Sequence, residues 1–254
     1  MAIHDHIEAA RKSILAARRE LMDLLRKEQG RRRGPMVRQL HEIDRMLDSR
    51  YVYASQAGQD RVIDKLMNNK RDGVFVDVGG YDGLTGSNSW FFELYRGWNG
   101  ILIEPTNEQY DIAKSRRRCE CLPYAIAESE GQADFISVNN GYTQMSGLSD
   151  HYEPELLEKV RSNPKHEEQI VKVETKTLAG VLKEANLGSI DFISLDIEGG
   201  EIAVLDVFPF KDFDIQSWAI ENNTGTSEIN KIMKANGYVL VEFCGPDEIY
   251  KLAD

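Results

Sequence analysis

The residues of this chain best placed for chemistry are carboxylates that stand where apolar runs end. The run Val74-Phe75-Val76-Asp77-Val78-Gly79-Gly80-Tyr81-Asp82-Gly83 is β-branched and aromatic, then stops at an acidic, glycine-rich turn. Glu104 follows Ile101-Leu102-Ile103, Asp196 follows Phe192-Ile193-Ser194-Leu195, and the pair Glu221-Asn222 follows the run 215–220. Glycines in such a turn let a ligand reach the backbone, because a Cβ there would block it. A carboxylate at the tip of the next strand accepts both hydroxyl protons of a ribose. A dinucleotide site would read G-x-G-x-x-G, with its pyrophosphate on a helix N-terminus. Here Asp77 and Asp82 stand where the pyrophosphate would lie and would repel it. Acids in this turn suit a ligand with a positive charge and no phosphate. S-adenosylmethionine fits, with its sulfonium, amino group and ribose. The alternative is a tight strand-to-helix turn that holds no ligand.

In an open α/β sheet, ligands bind outside the carboxyl ends of the strands. Asp196 ends one predicted strand, and Glu221 with Asn222 ends the next. Adjacent strands lie about 4.8 Å apart, so Asp196, Glu221 and Asn222 are within reach of one ion, and their oxygens suit Mg²⁺. Such an ion would lower the pKa of a bound hydroxyl. A direct base, Asp196 or Glu198, is the alternative. In the plainest reading Asp196 only orients a cofactor amine, while Glu198 and Glu201 cap the following helix. His151 is a further candidate base, or a solvated loop histidine. It lies in a polar stretch, 139–169, long enough to be a lid or substrate loop. Tyr142, Met145 and Ser146 of that stretch are expected at an acceptor pocket, and Trp90, Trp98 and Trp218 in the core.

These residues need a scaffold, and the pattern supplies one. Strands are expected at 74–78, 101–103, 120–126, 190–195 and 215–220, alternating with helices at 61–69, 88–95, 106–116, 178–186 and 227–236. Ser87 stands ready to cap the helix after the glycine turn. Added strands are expected at 133–138 and 170–175, and a terminal hairpin around Gly245-Pro246-Asp247. This alternation predicts an α/β fold, Rossmann-like, with seven mostly parallel strands. The 254 residues, 41% hydrophobic and 29% charged, are ordinary for a globular chain. No apolar run approaches the length of a membrane span, and the expectation is a cytoplasmic protein with its three cysteines reduced.

The net charge of -11 is unevenly spread. Residues 1–50 carry 12 Lys/Arg against 8 Asp/Glu, and the remainder 19 against 34. So acidic a body argues against duplex nucleic acid as a partner. In the N-terminal arm, Ile3, Ile7, Ala10, Ile14, Ala17, Leu21 and Leu24 form a heptad seam. Arg11, Lys12, Arg18, Arg19, Arg26 and Lys27 run beside it. Two readings stand: an amphipathic helix packed on its own domain, or a seam for a homo-oligomer. The basic stripe reads as a solvated face, or as a contact for an acidic partner or membrane surface.

The chain resembles the FkbM family of S-adenosylmethionine-dependent methyltransferases over about residues 55–252. The resemblance rests on Ser55-Gln56-x-Gly58-Gln59-Asp60, the turn 76–83, Ser87-Asn88, Ile103-Glu104-Pro105 and Asp196-Ile197-Glu198-Gly199-Gly200-Glu201, the last being the most diagnostic. It implies a class I methyltransferase domain at 51–254 after a helical arm at 1–50. It also implies O-methylation of a sugar, glycan or natural-product hydroxyl. By the same resemblance Asp77, Gly79 and Gly83 form the loop under the methionine part and Glu104 holds the ribose. Tyr124 and Ala125 flank the adenine, and Gln56 with Gln59 closes over the amino-acid end or caps a helix. Two alternatives remain beside it: a non-catalytic assembly scaffold with a relic cofactor pocket, and a methyltransferase acting on a protein.

Overall fold

The computed structural model describes residues 3–253, so the outermost residues of the two expected segments, 1–2 and 254, lie outside it. Two helices come first, α1 (Ile3–Leu25) and α2 (Arg33–Leu47), followed by α3 (Gln59–Leu66). The alternating part runs β1 (Val74–Val78), a π-helical turn at Phe92–Arg96, β2 (Asn99–Ile103), α4 (Asn107–Arg116) and β3 (Glu120–Leu122). An insertion follows: β4 (Ala125–Ile126), β5 (Gly131–Asn140), β6 (Gly147–Leu148), α5 (Pro154–Arg161) and β7 (Glu167–Lys176). The chain closes with α6 (Leu178–Ala185), β8 (Phe192–Leu195), α7 (Glu201–Val207), β9 (Ser217–Ile220), α8 (Glu228–Ala235), β10 (Tyr238–Cys244) and β11 (Asp247–Leu252).

The main sheet has seven strands in the order β10-β11-β9-β8-β1-β2-β3. Its centre is parallel, and β11 runs antiparallel to both β9 and β10. This is the expected Rossmann-like sheet. The central strands read as unbroken apolar runs because helices cover both faces. Val76, Val78, Ile193 and Leu195 pack with Leu178, Val181 and Leu205. Phe75, Leu102 and Phe192 pack on the other side with Phe91, Phe92, Trp98 and Ile63. Register then decides what reaches the edge. Val78 is level with Ile103 and Leu195, and Leu195 with Ile220. The next residues, Gly79, Glu104, Asp196 and Glu221, therefore emerge side by side at the carboxyl edge.

Ser87 caps the helical segment after the glycine turn: its Oγ accepts from the Trp90 N–H at 3.1 Å. That segment is shorter than the expected helix and widens into the π turn.

The expected added strands form a sheet of their own, in the order β4-β7-β5-β6, with β5 and β7 paired antiparallel over nearly their full length. The stretch 139–169 is not one loop. Its second half folds as α5, which buries Val160 with Leu156 and Leu157 against Ile136, Val138 and Tyr152. Only 141–148 remains facing the carboxyl edge of the main sheet.

The arm is divided in the same way. Helix α2 belongs to the body: Val37 packs on the central aromatic cluster. Arg33 grips Glu242 of β10 through two nitrogens, at 2.6 and 2.5 Å, and also donates to the Glu28 carbonyl at 2.7 Å. Arg31 donates to Glu248 at 2.5 Å and to the Asn222 carbonyl at 2.6 Å. The arginine run 31–33 thus contains two internal fasteners. On α1 only Leu21 and Leu25 are buried; Ile3 is 79% exposed, Ile7 60% and Leu24 51%. Packing on the chain's own body accounts for one end of the seam alone. Arg18 leaves the basic stripe to pair with Asp44 of α2 at 2.6 Å. Among the described residues no helix is long and apolar enough to cross a membrane.

Backbones of α2 and the β10–β11 turn meet at two glycines: Gly245 N–H donates to the Gly34 carbonyl at 3.0 Å. A Cβ on Gly34 would stand 2.1 Å from the Gly245 oxygen. Gly34→Ala is therefore expected to cost about 1 to 3 kcal/mol, the usual scale for overpacking. Urea denaturation checks this, and an unchanged midpoint would show that α2 is not held at this point.

Candidate functional site

The carboxyl edge opens into a cavity of about 420 Å³. One wall comes from the main sheet: Gly79, Tyr81, Glu104, Asp196, Glu198 and Glu221. The facing wall comes from the insertion, with Tyr124, Ala125, Ile126, Phe135 and Leu148, closed by the segment 141–146. Gln56, Pro246 and Arg38 of α2 complete the rim.

At one end Glu104 is buried and held firmly. Its Oε1 accepts from Thr106 N–H at 2.9 Å and Thr106 Oγ at 2.6 Å, and its Oε2 from Tyr81 N–H at 3.0 Å. Burial pushes its pKa up, against these hydrogen bonds. A carboxylate oxygen has more than one acceptor position, so both oxygens can still take a ligand hydroxyl. Tyr81 was not singled out as a site residue, yet it sits at positive φ, binds Glu104 through its amide and meets Thr143 through its hydroxyl at 2.8 Å. It ties the glycine turn to the segment that closes the cavity. Tyr124 and Ala125 line the cavity as expected, with Lys176 Nζ over the Tyr124 ring at 4.4 Å.

Of the turn residues, Gly79 alone fills the expected place. A Cβ there would lie 1.7 Å from the Asp196 carbonyl oxygen, so glycine is what lets the tips of β1 and β8 meet. Gly83 packs instead on Ala113 and Arg117, away from the cavity. Asp77 lies beneath the wall. Ser87 Oγ donates to it at 3.1 Å, Ser89 Oγ donates more closely still, and Arg117 stands 3.7 Å away. Asp82 is taken by Thr85 and by Arg116 at 2.6 Å. The two acids expected to give the site its negative charge are thus structural. Gln56 lines the cavity, whereas Gln59 is a scaffold residue: it donates to Asp247 at 3.0 Å and accepts from Ala57 N–H at 2.9 Å.

The negative charge comes from the other end. Asp196, Glu198 and Glu221 each present an oxygen within 4.8 Å of the other two. Glu198 has a left-handed backbone, φ 58°, in the turn before α7. Glu201 makes that turn by accepting from the amides of Ile197 at 2.9 Å and Gly199 at 3.1 Å. Of the three acids in the Asp196 motif, two face the cavity and one builds the loop. Burial pushes the pKa of Glu198 and of Glu221 far up, and the neighbouring carboxylates add to it. Burial and the charge of Asp247 raise Asp196 as well.

Two expected site residues fall outside this group. Asn222 turns toward β11, its amide nitrogen donating to the Thr226 carbonyl and to Glu248, both at 2.8 Å. Its place at the cavity is taken by Asn223, which donates to Glu198 at 3.2 Å. His151 points to Glu128, 3.1 Å away, and does not line the cavity, because its backbone packs against Gly199 and fixes it outward. Neither is placed as a ligand or base. Tyr142, Met145 and Ser146 do line the cavity. Trp98 and Trp218 are core, while Trp90 is only partly buried.

A parallel sheet with one reversed strand, a glycine turn on β1 and an acid at the tip of β2 define the class I methyltransferase arrangement. The family described as the methyltransferase FkbM domain matches residues 77–240, and the chain belongs to that family. Among solved structures, a methyltransferase FkbM from Methylobacillus flagellatus KT is 12% identical, with a TM-score of 0.46. The match covers 91% of this chain but 58% of that one. The METTL16 MTase domain is 10% identical with a TM-score of 0.42, over 85% of this chain and 77% of that one. Nothing among the curated proteins matches.

The crowd of buried acids predicts a pH dependence. Burial raises Asp60 and Asp247 to about 6, and raises Asp196, Glu198 and Glu221 as well. The fold then keeps protons that the unfolded chain releases near pH 4. Stability in metal-free buffer is therefore greatest near the ordinary carboxylate range and falls as pH rises toward 8, by about 1.4 kcal/mol per pH unit for each proton kept. Glu221→Gln removes one such group and should flatten the slope. Thermal melts across pH 5 to 8 measure it, and a stability that climbs with pH would contradict the protonated cluster.

Proposed function

We propose that this chain is an S-adenosylmethionine-dependent O-methyltransferase acting on a hydroxyl of a sugar, glycan or natural-product acceptor. The observation that carries the reading is one cavity with a hydroxyl-binding carboxylate, Glu104, at one end and the converging carboxylates of Asp196, Glu198 and Glu221 at the other. Its volume is in the range of small-molecule sites. The residues fit the proposed donor: Glu104 takes the two ribose hydroxyls, and Tyr124, Ala125, Ile126 and Phe135 offer a flat apolar wall for the adenine. The acid end favours the cationic sulfonium. When bound, the cofactor supplies an electrophilic methyl group.

The chain's own work is then to align an acceptor oxygen and remove its proton. Alignment alone is worth up to about 7 to 11 kcal/mol. Asp196 and Glu198 are the proposed bases: burial pushes Asp196 up to about 8 and raises Glu198 well above the ordinary carboxylate range, and a general base gains from a pKa above that of an ordinary carboxylate. Removal by a direct base and removal assisted by a divalent ion such as Mg²⁺ both run through the same carboxylates. The acceptor side is assigned to Tyr142, Met145, Ser146 and Arg38. Self-association through the exposed seam of α1 is proposed alongside. Sizing the chain with and without residues 1–26 tests it, and an equal subunit count would rule the seam out.

Glu104→Gln is expected to leave the fold intact and weaken S-adenosylmethionine binding about 10- to 100-fold, the scale of a hydrogen bond to a charged group. Calorimetric titration reads it, and unaltered affinity in the folded variant would reject the ribose assignment. An acceptor screen with a labelled methyl donor, run on the same protein, tests the reaction itself. Binding of the cofactor without methylation of any hydroxyl compound would favour the scaffold reading.

A further inference from the structure

We propose that Asp196, Glu198 and Glu221 form a binding site for a hard divalent cation of the Mg²⁺, Mn²⁺ or Ca²⁺ class, with Glu198 in the place that sequence spacing gave to Asn222. Its catalytic use rests on the methyltransferase reading, but its existence does not.

Geometry comes first. One oxygen from each residue lies within 4.8 Å of the other two. Opposite ligands of Ca²⁺ are about 4.6 to 5.2 Å apart and those of Mg²⁺ about 4.0 to 4.2 Å. No pair in the trio is farther apart than one Ca²⁺ can span, and since only one pair can stand opposite, the carboxylates draw inward to close on an ion, further for Mg²⁺. All donors are carboxylate oxygens, the ligand type that suits hard cations such as Mg²⁺, Ca²⁺ and Mn²⁺. Three protein ligands leave positions for water or an acceptor oxygen on the cavity side.

A second observation points the same way. Glu221 is 7% exposed, and its Oε2 is buried with no hydrogen-bond partner. A buried polar oxygen left alone is costly, and native folds nearly always satisfy it. No lysine or arginine among the described residues forms an ion pair with any member of the trio. The nearby cations are committed elsewhere: Arg31 to Glu248, and Arg38 on the cavity rim to Glu42 at 3.3 Å. The amide of Asn223 satisfies only Glu198. Asp247 and Glu201, which add negative potential, are held by Gln59 and by backbone amides and remain free of the cavity. Three carboxylates converge with an unpartnered oxygen between strand tips and no resident positive charge. An ion held there would ease proton loss from a neighbouring hydroxyl.

The test uses the full chain, stripped with a chelator and titrated with Mn²⁺ at pH 7.5. Free Mn²⁺ is read by electron paramagnetic resonance. We expect saturation at one Mn²⁺ per chain, displaced by Mg²⁺ or Ca²⁺, and weakened at least tenfold in both Glu221→Gln and Asp196→Asn. Circular dichroism establishes that each variant is folded, and two independent variants keep the test open if one is not. Glu104→Gln, at the far end of the cavity, should bind Mn²⁺ as the parent does while its S-adenosylmethionine binding is weakened. Lack of saturable binding, or binding indifferent to both trio substitutions, would overturn the site. Cofactor binding without Mn²⁺ binding rejects this proposal alone, whereas Mn²⁺ binding without cofactor binding rejects the methyltransferase reading alone.

Discussion

A buried guanidinium holds the cavity-bearing face of this protein in shape. The Arg117 side chain is fully covered and stands over the Phe75 ring at 5.3 Å. It donates to the Gly83 carbonyl at 3.0 Å, to Ser89 Oγ at 2.9 Å and to Glu93 at 3.2 Å, with Asp77 3.7 Å away. A charge removed from water is tolerated only when its partners are complete. These partners are the end of the glycine turn, the cap region of the next helix, the π turn and β1. One residue at the end of α4 thereby sets the relative placement of four segments. The turn can then present Gly79 and Tyr81 to the cavity without spending its own acids there.

The cavity follows from a second constraint, the level register of β2, β1, β8 and β9. Each strand ends at the same height, so each first residue beyond the strand enters the same space. Glycine on β1 makes room, and the acids on the other three supply the charge. The polarity of the site is a property of the sheet's edge. Its shape is a property of the insertion, whose strands β4, β5 and β6 give Ala125, Ile126, Phe135 and Leu148 to the facing wall.

The central strands and the tip residues Glu104, Asp196 and Glu221 were legible because a solid apolar run that stops at an acid marks a central strand and its carboxyl end together. The roles of Asp77 and Asp82 were not: apart from Thr85 beside Asp82, the groups that hold them, Ser87, Ser89, Arg117 and Arg116, lie 10 to 40 residues onward, where no local spacing announces them. The stretch 139–169 was hidden by its polar average: Leu156, Leu157 and Val160 are too few to show a helical stripe alone, and their cover comes from β5. Backbone direction brought Glu198 into the acid group and took Asn222 out of it. The left-handed turn at Glu198 swings that side chain inward, while the chain after β9 carries Asn222 toward β11.

The position of β11 between β9 and β10 has a consequence for how the protein is made. Strand β10 reaches the sheet only through a strand that follows it in the chain. Helix α2, which precedes the whole sheet in the chain, docks on this hairpin through Gly34, Arg31 and Arg33. Pairings of such long sequence separation are slow to form. Helix α2 therefore settles only after β11, made long after it, is in place, and until then the cavity lacks the part of its rim that carries Arg38.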